Sequence, residues 1–193
     1  MKKILAILGH TSDQGFSGKF FSDYVSGARE AGHEVREIKL GEIDFDPILR
    51  KGYREIQELE PDLQKAQEDI LWAEHLLIVF PNWWGSFPAI LKGFFDRIIL
   101  PGFGYKFFSP RSLFWKKLLK GKTARIIIAM DSPVWYYSWF LGRPGEKVVR
   151  KCLLEFCGIS PVRTTKIGPL KRMDEKDILR KREKIKQLGR KGK

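Results

Sequence analysis

Residues 76–97 read LLIVFPNWWGSFPAILKGFFDR, and this stretch decides the fold. It begins with five apolar residues, Leu76 to Phe80, a run short enough for a buried strand. The aromatic loop 81–88 follows, and the amphipathic run 89–97 predicts a helix. Strand, loop and helix in this order are typical of an α/β protein, in which such a loop lies at the carboxyl end of a strand. Because the loop holds two tryptophans, we expect a surface for a flat ligand there.

The same cycle recurs along the chain. Apolar runs predict five strands, at residues 3–9, 34–40 (an edge strand), 76–80, 124–130 and 162–167. Helical patterns cover 16–32, 62–72, 89–99, 145–156 and 174–188. The alternation predicts an α/β fold with a parallel sheet covered on both faces, and five strands favour one flavodoxin-like, doubly wound domain over 1–193 with strand order 2-1-3-4-5. In that order the loops 10–17, 81–87 and 131–137 should converge at the switch point, where ligands bind.

Composition restricts the class of protein. Hydrophobic residues make up 43% of 193 residues, which indicates a globular chain, and no apolar run approaches the roughly 20 residues of a membrane span. The apolar start ends at Gly9, which favours a first strand over a signal peptide. We therefore expect a cytoplasmic protein. Helical spacing places Cys152 and Cys157 on different faces, so we expect neither a disulfide nor a metal site.

The net charge of +13 is uneven, because residues 171–193 hold eleven Lys/Arg against four Asp/Glu. This basic helix or tail could bind a polyanion, or it could be an ordinary solvated helix with charges that suit its dipole. No nucleic-acid motif accompanies it, so we do not expect nucleic acid as a partner. Attraction of phosphorylated cofactors is the favoured interpretation.

The first converging loop, from His10 to Gly18, is rich in Ser, Thr and Gly and leads into a helix. Free N–H groups at a helix start, with Ser12, Gln14 and Ser17 nearby, could hold a phosphate. The alternative is a plain helix cap without a ligand. The loop matches neither the dinucleotide-binding glycine pattern nor a P-loop.

The other two loops are aromatic. In the second, Asn82 can hydrogen-bond to a heterocycle edge, Trp83 and Trp84 can stack on a ring, and Gly85 permits close approach. In the third, Tyr136 and Tyr137 could offer hydroxyl groups to a substrate. The alternative for both loops is aromatic packing in the core or at an interface. No nucleophile motif is present, so a bound cofactor would have to bring the hard chemistry.

The run FPNWWGSFPAILKGFFDR, at residues 80–97, resembles the signature of the NAD(P)H:quinone oxidoreductase family. His10 after the first strand and Phe156-Cys157-Gly158 agree with it. The resemblance implies a flavodoxin-like fold, a homodimer, and two-electron transfer from NADH or NADPH to quinones through a bound flavin. Because the chain is shorter than the FAD-binding members, FMN is favoured over FAD.

The resemblance also implies roles for individual residues. The flavin-binding positions are His10, Gln14, Phe16, Ser17, Pro81, Asn82, Trp83, Trp84, Gly85, Asp131, Ser132 and Pro133. Tyr137, with Tyr136 beside it, matches the family's tyrosine near the reacting ring. The chain departs from the family where Asp131-Ser132-Pro133 replaces a glycine-containing run, and nothing matches the family's later histidine.

These features predict a ping-pong NAD(P)H oxidoreductase that acts on quinones or related aromatic acceptors. One alternative is a flavin-bearing regulatory subunit, similar to the ancillary proteins of potassium efflux systems. Another is a one-electron flavodoxin, which the basic charge disfavours.

Overall fold

Five parallel strands form the central sheet of the computed structural model, which describes all residues, Met1–Lys193. The seven strands of the chain are β1 (Lys3–Leu8), β2 (Glu34–Lys39), β3 (His75–Pro81), β4 (Tyr105–Phe107), β5 (Trp115–Lys117), β6 (Thr123–Ala129) and β7 (Val162–Ile167). The helices are α1 (Phe16–Glu30), α2 (Pro61–Trp72), α3 (Ala89–Ile98), α4 (Pro144–Lys147) and α5 (Glu175–Arg190).

The order of the sheet is β2-β1-β3-β6-β7. The predicted order 2-1-3-4-5 is therefore confirmed for the five sheet strands, and β2 is the predicted edge strand. The register aligns Leu8 with Val79 and Val79 with Ile127, so β1, β3 and β6 end close to one another. These central strands are buried on both faces, which is why they consist of apolar runs. Each fully buried Leu or Ile contributes about 1.5–3 kcal/mol relative to an exposed one.

Helices cover both faces of the sheet. On one face α1 and α5 contribute Phe20, Tyr24 and Ile185 to a buried cluster. On the other, α2 and α3 contribute Leu63 and Phe94 to a larger cluster. The basic carboxyl-terminal segment is thus largely a helix packed on the core, and its charges lie along the outer side of that helix.

Two features differ from the sequence prediction. The antiparallel ribbon β4–β5 was missed, because strands of three residues leave no clear alternation. The predicted helix 145–156 begins as α4 but continues as a π-helical stretch, Val148–Glu155, and a second π-helical stretch covers Tyr136–Phe140. Hydrophobic spacing does not separate a π-helical turn from an α-helical one over so few residues.

Cys152 is exposed and Cys157 is buried, and both are free thiols, as their spacing predicted. Burial raises the pKa of the Cys157 thiol to about 11. None of the helices combines the length and the apolar composition that crossing a bilayer requires.

Candidate active site

A cleft of about 300 Å³ opens where the loops after β1, β3 and β6 meet. The structure thus brings the three predicted loops together. The predicted cofactor residues that line the cleft are His10, Phe16, Ser17, Pro81, Asn82, Trp83, Asp131 and Ser132. The sequence did not identify four further residues that line the cleft, Gly15, Ala129, Met130 and Leu170. Position alone signals the first three, because Gly15 precedes α1, Ala129 ends β6 and Met130 follows it, whereas nothing in the sequence signals Leu170.

The first loop leaves the amino terminus of α1 open. Gly15 occupies the position before the helix and has no side chain to cap it. Ser12 Oγ instead accepts a hydrogen bond from the Gln14 amide at 3.2 Å, and Asp13 pairs with Lys39 at 3.1 Å. The plain helix cap considered for this loop is therefore not formed. The free N–H groups of the first turn create a positive end that suits an anion.

Gly18 fixes the path of this loop into the helix. A Cβ atom at Gly18 would lie only 1.8 Å from the carbonyl oxygen of Asp13. The loop therefore turns back directly over the first turn of α1, and only glycine leaves room for it.

His10 lies between the first and second loops. Its Nδ1 lies 2.9 Å from the amide nitrogen and 2.5 Å from the carbonyl oxygen of Ser12. These contacts engage one ring nitrogen and leave Nε2 without a protein partner. The edge of the ring meets Trp83, with centroids 5.2 Å apart and planes at 73°. The two rings thus join the first loop to the aromatic second loop across the cleft.

The second loop is a tight turn from Trp83 to Ser86. The amide of Trp83 donates to Ser86 at 3.1 Å, and the amide of Ser86 donates to Trp83 at 2.8 Å. Both central residues have positive φ, 52° at Trp84 and 77° at Gly85, which is the geometry of a type I′ turn. Such a conformation suits Gly85 but strains a bulky residue such as Trp84.

The turn places its two tryptophans differently. Trp83 lines the cleft and is half-exposed, whereas Trp84 is fully exposed and does not line it. Gly85 is buried and accepts a hydrogen bond from the amide of Gly145 at 3.1 Å, which fixes the turn against α4. Gly85 therefore positions the loop and is not itself part of the cleft wall.

Two polar atoms of the cleft residues are buried without any hydrogen-bond partner, Oδ1 of Asn82 and Oγ of Ser132. Asn82 follows β3, and its amide donates to Ala129 at 2.7 Å, so the backbone is fixed while the side chain is unsatisfied. Unsatisfied buried polar atoms are uncommon in folded proteins. Two of them on neighbouring loops of one cleft indicate a ligand with a polar edge.

The third loop gives the two predicted tyrosines different environments. Tyr136 is 41% exposed, and its ring stacks on Phe140 with centroids 5.7 Å apart. Tyr137 is fully buried, and its hydroxyl accepts a hydrogen bond from the Glu146 amide at 3.0 Å. Burial raises the pKa of Tyr137. The structure therefore places Tyr137 in the core and not at the cleft, because its ring fills the space between the loop and α4.

Gln14 and Pro133 lie outside the cleft wall, as Trp84 and Gly85 do. Gln14 faces a second, polar cleft together with Asp13 and Lys39. Pro133 accepts a backbone hydrogen bond from Tyr137 at 3.1 Å and shapes the start of the π-helical turn. Asp131, by contrast, lines the cleft and forms an exposed ion pair with Lys171 at 3.0 Å.

Comparisons with known proteins agree with this geometry. A family model for a flavodoxin-like fold matches residues 2–188. The chain is 34% identical over 158 residues to an uncharacterized NAD(P)H oxidoreductase of Haemophilus influenzae, across 77% of this chain and 74% of that protein. It is 26% identical over 197 residues to NAD(P)H dehydrogenase (quinone) 1 of Cavia porcellus, across 87% of this chain and 70% of that protein.

A solved structure adds to these relatives. The crystal structure of Smu.1420 from Streptococcus mutans has a TM-score of 0.82 at 26% identity and covers 97% of this chain and 98% of its own. The family match, the curated relatives and the sheet order agree, and the chain belongs to the NAD(P)H:quinone oxidoreductase family, with its flavodoxin-like fold.

Proposed function

We propose that this chain is a flavin-dependent NAD(P)H oxidoreductase that passes two electrons to quinones or related aromatic acceptors. The observation that carries the proposal is the pair of unsatisfied polar atoms, Asn82 Oδ1 and Ser132 Oγ, in a cleft that also has an aromatic wall and a free helix start. A flavin combines the matching parts: a polar heterocycle edge, a flat ring and a phosphate.

The residues present fit that group. Asn82 and Ser132 would hydrogen-bond to the polar edge of the ring system, and Pro81 and Trp83 would lie along it. The amides of Gly15, Phe16 and Ser17, at the positive end of α1, would hold the phosphate. When bound, a flavin supplies the two-electron chemistry that no side chain of the cleft offers.

We propose FMN as the bound form. An adenosine group attached beyond the phosphate would reach toward the second cleft, which adjoins the first at His10 and Ser12. The one aromatic side chain of that cleft is His10, whose ring already meets Trp83, and the carboxylates of Asp13 and Glu42 outnumber the ammonium group of Lys39. Neither feature favours the adenosine monophosphate part of FAD, since like charges repel and a base needs a flat partner.

The aromatic side of the cleft suggests how substrates use it. Trp83 lines the cleft, whereas Tyr136 does not line it but is the exposed tyrosine of the third loop. We propose that the nicotinamide and the acceptor occupy this one slot in turn, which is a ping-pong order, and that proximity supplies much of the rate. Tyr136 would donate a hydrogen bond to the acceptor.

The curated relatives carry oxidoreductase names, which does not favour the alternative of a regulatory subunit.

We also propose that the chain acts as a homodimer in the cytoplasm, where NAD(P)H is supplied. The third loop and its π-helical turn expose a group of large apolar side chains, Trp135, Tyr136, Trp139, Phe140 and Leu141. Neighbouring exposed apolar side chains of this kind mark interaction surfaces, and a second copy would cover them.

Titration of the purified protein with FMN tests the proposal. We expect quenching of the flavin fluorescence, NADPH-dependent reduction of menadione, and about tenfold weaker FMN binding for Asn82→Leu or Ser132→Ala. Ser22→Ala, on the exposed side of α1, is the matched control and should bind like the parent. The absence of binding by both FMN and FAD would refute the proposal.

A further inference from the structure

A small cavity lies at the amino-terminal edge of the sheet, at the opposite end of the strands from the cleft described above. Its volume is about 130 Å³, less than half the 300 Å³ of the cleft. Its wall includes the first residues of β3 and β6, His75 and Thr123, the second residue of β7, Arg163, and Lys2 and Lys193 near the chain ends. The two sites share no residue.

The end of α5 is fixed against the start of β1 and forms one wall of this cavity. The amide of Lys2 donates to Nδ1 of His33 at 3.1 Å, and Nζ of Lys2 donates to the Gly192 carbonyl at 2.9 Å. Nε of Arg125 donates to the main-chain oxygen of Lys193. The cavity is therefore a formed part of the fold, held by contacts between distant segments of the chain.

One buried side chain of the wall lacks a partner. His75 is 2% exposed, and its Nδ1 lies 2.6 Å from Thr123 Oγ1, whereas Nε2 has no hydrogen-bond partner. When the Thr123 hydroxyl donates to Nδ1, the neutral ring carries its proton on Nε2, which then needs an acceptor. Buried polar atoms without a partner are uncommon, so this atom indicates a ligand that accepts a hydrogen bond.

The charged side chains that line the cavity are all basic. Lys2, Arg163 and Lys193 line it, and no Asp or Glu does. None of the three forms an ion pair with a carboxylate side chain. The ammonium group of Lys2 has two further donors beyond its bond to Gly192. The cavity thus combines unpaired cations with the unpaired ring nitrogen of His75.

We propose that this cavity binds a small oxyanion such as inorganic phosphate. Its oxygens would accept hydrogen bonds from Nε2 of His75 and from the side chains of Lys2 and Arg163, and charge-assisted bonds of this kind are strong. Pockets for larger organic ligands have volumes of roughly 300–1,000 Å³, so the cavity suits an ion rather than a nucleotide. The proposal does not depend on the redox function.

Such an ion would connect the starts of β1, β3 and β7. Because it binds only where folding has brought these segments together, it should stabilise the folded state. Its neutralising charge would also reduce the repulsion between Lys2 and Arg163.

NMR titration of the His75 ring with inorganic phosphate tests this site. The readout is local, because β3 separates His75 from the cleft by roughly 20 Å, and the start of α1 offers phosphate a second position there. We expect saturable shifts of the His75 resonances with phosphate, and no saturable shift with sodium chloride at equal ionic strength. Arg163→Gln should weaken phosphate binding about tenfold, and Lys2→Gln should weaken it as well.

Lys176→Gln is the matched control, because Lys176 is an exposed cation at the other end of α5. It should bind phosphate beside His75 like the parent. Arg163 is exposed, so an unchanged melting temperature without phosphate verifies that the Arg163→Gln variant folds. The proposal is overturned if phosphate leaves the His75 resonances unchanged or if sodium chloride gives the same saturable shift. It is also overturned if Arg163→Gln binds phosphate like the parent.

Discussion

Arg97 and Glu60 form an ion pair in which the guanidinium is completely buried. Nη2 of Arg97 lies 2.8 Å from Oε2 of Glu60, and the side chain of Arg97 is 0% exposed. The same guanidinium donates to the carbonyl of Glu58 at 2.8 Å and to that of Asp46. Burial is the largest influence on the pKa of Glu60 and acts to raise it. The hydrogen bond from Arg97, the backbone hydrogen bonds to the carboxylate and the charge of Arg97 together outweigh burial and hold this pKa below its usual value. The side chain of Arg97 thus attaches the long polar segment 41–60 to helix α3.

Replacing Arg97 should therefore destabilise the fold strongly. We expect Arg97→Met to lower the free energy of unfolding by about 3 kcal/mol, because it leaves Glu60 and two carbonyls without their donor. Urea denaturation measures the change. Lys92→Met on the same helix breaks only an exposed pair with Asp96 and should cost at most about 0.5 kcal/mol. Equal losses for the two variants would contradict the anchoring role of Arg97.

Trp84 provides a prediction in the opposite direction. Its φ of 52° strains the backbone because the residue carries a Cβ atom, and the fully exposed ring makes no buried contacts that would offset this strain. Trp84→Gly should therefore raise the free energy of unfolding by about 1 kcal/mol. Trp84→Ala removes the same ring but keeps a Cβ atom, and it should give no such gain. Thermal and urea denaturation compare the two. If Trp84 contacts the flavin, as the family resemblance predicts, both variants will also bind FMN more weakly. A gain of stability for alanine equal to that for glycine would exclude backbone strain as the cause.

The sequence predicted those parts of the molecule that follow from local patterns. The apolar runs of β1, β3 and β6 are continuous because these strands are buried on both faces, and their order places the three loops together. Loop residues at strand ends, such as Asn82 and Ser132, could be assigned to the cleft for that reason. Their lack of any partner in the protein could not be predicted, because it depends on distances between loops.

The parts that sequence reasoning missed depend on distant contacts. Tyr137 and Tyr136 are adjacent and chemically alike, yet only the approach of α4 buries the first. The segment 41–60 has no regular apolar spacing. Phe45 and Leu59 pack on the core singly, and Arg97 holds the segment through carbonyl and carboxylate oxygens. The basic carboxyl-terminal residues look like a free tail in composition, but spaced apolar residues such as Ile185 attach that helix to the core.

Two glycines control how closely α5 approaches α1. A Cβ atom at Gly27 would lie 2.1 Å from the carbonyl oxygen of Lys186, and one at Gly189 would lie 2.1 Å from that of Tyr24. We expect Gly27→Ala to lower the free energy of unfolding by about 2 kcal/mol, because rigid backbone has to move apart. Ser26→Ala, the exposed neighbour, should change it by less than about 0.5 kcal/mol. Chemical denaturation measures the free energy of unfolding of both variants. A Gly27→Ala variant more stable than the parent would show that α1 and α5 do not pack as closely as the structure shows.

His75 makes the stability depend on pH in a defined window. The side chain is buried, Nδ1 lies 2.6 Å from Thr123 Oγ1, and Nε2 has no partner. Burial, followed by the nearby charges of Lys2 and Arg125, lowers the pKa of His75 to about 3. The folded state therefore keeps the imidazole neutral, whereas the unfolded chain takes up a proton near the ordinary pKa of about 6.5. The contribution is fully present above pH 6.5 and is lost as the pH falls toward 3.

Between pH 6.5 and 4.5 this loss should amount to roughly 1.4 kcal/mol per pH unit once the unfolded imidazole is protonated. Carboxylates with lowered pKa values, such as Glu30 at about 2, contribute only below this window, because their unfolded pKa lies near 4.5. His75→Asn keeps a polar group toward Thr123 but cannot titrate, so its unfolding free energy should fall less steeply over the same range. Urea denaturation at half-unit pH steps measures both slopes, and NMR titration of the His75 ring measures its pKa directly. Parallel slopes in the parent and the variant would mean that the folded protein accommodates a charged imidazole at this site.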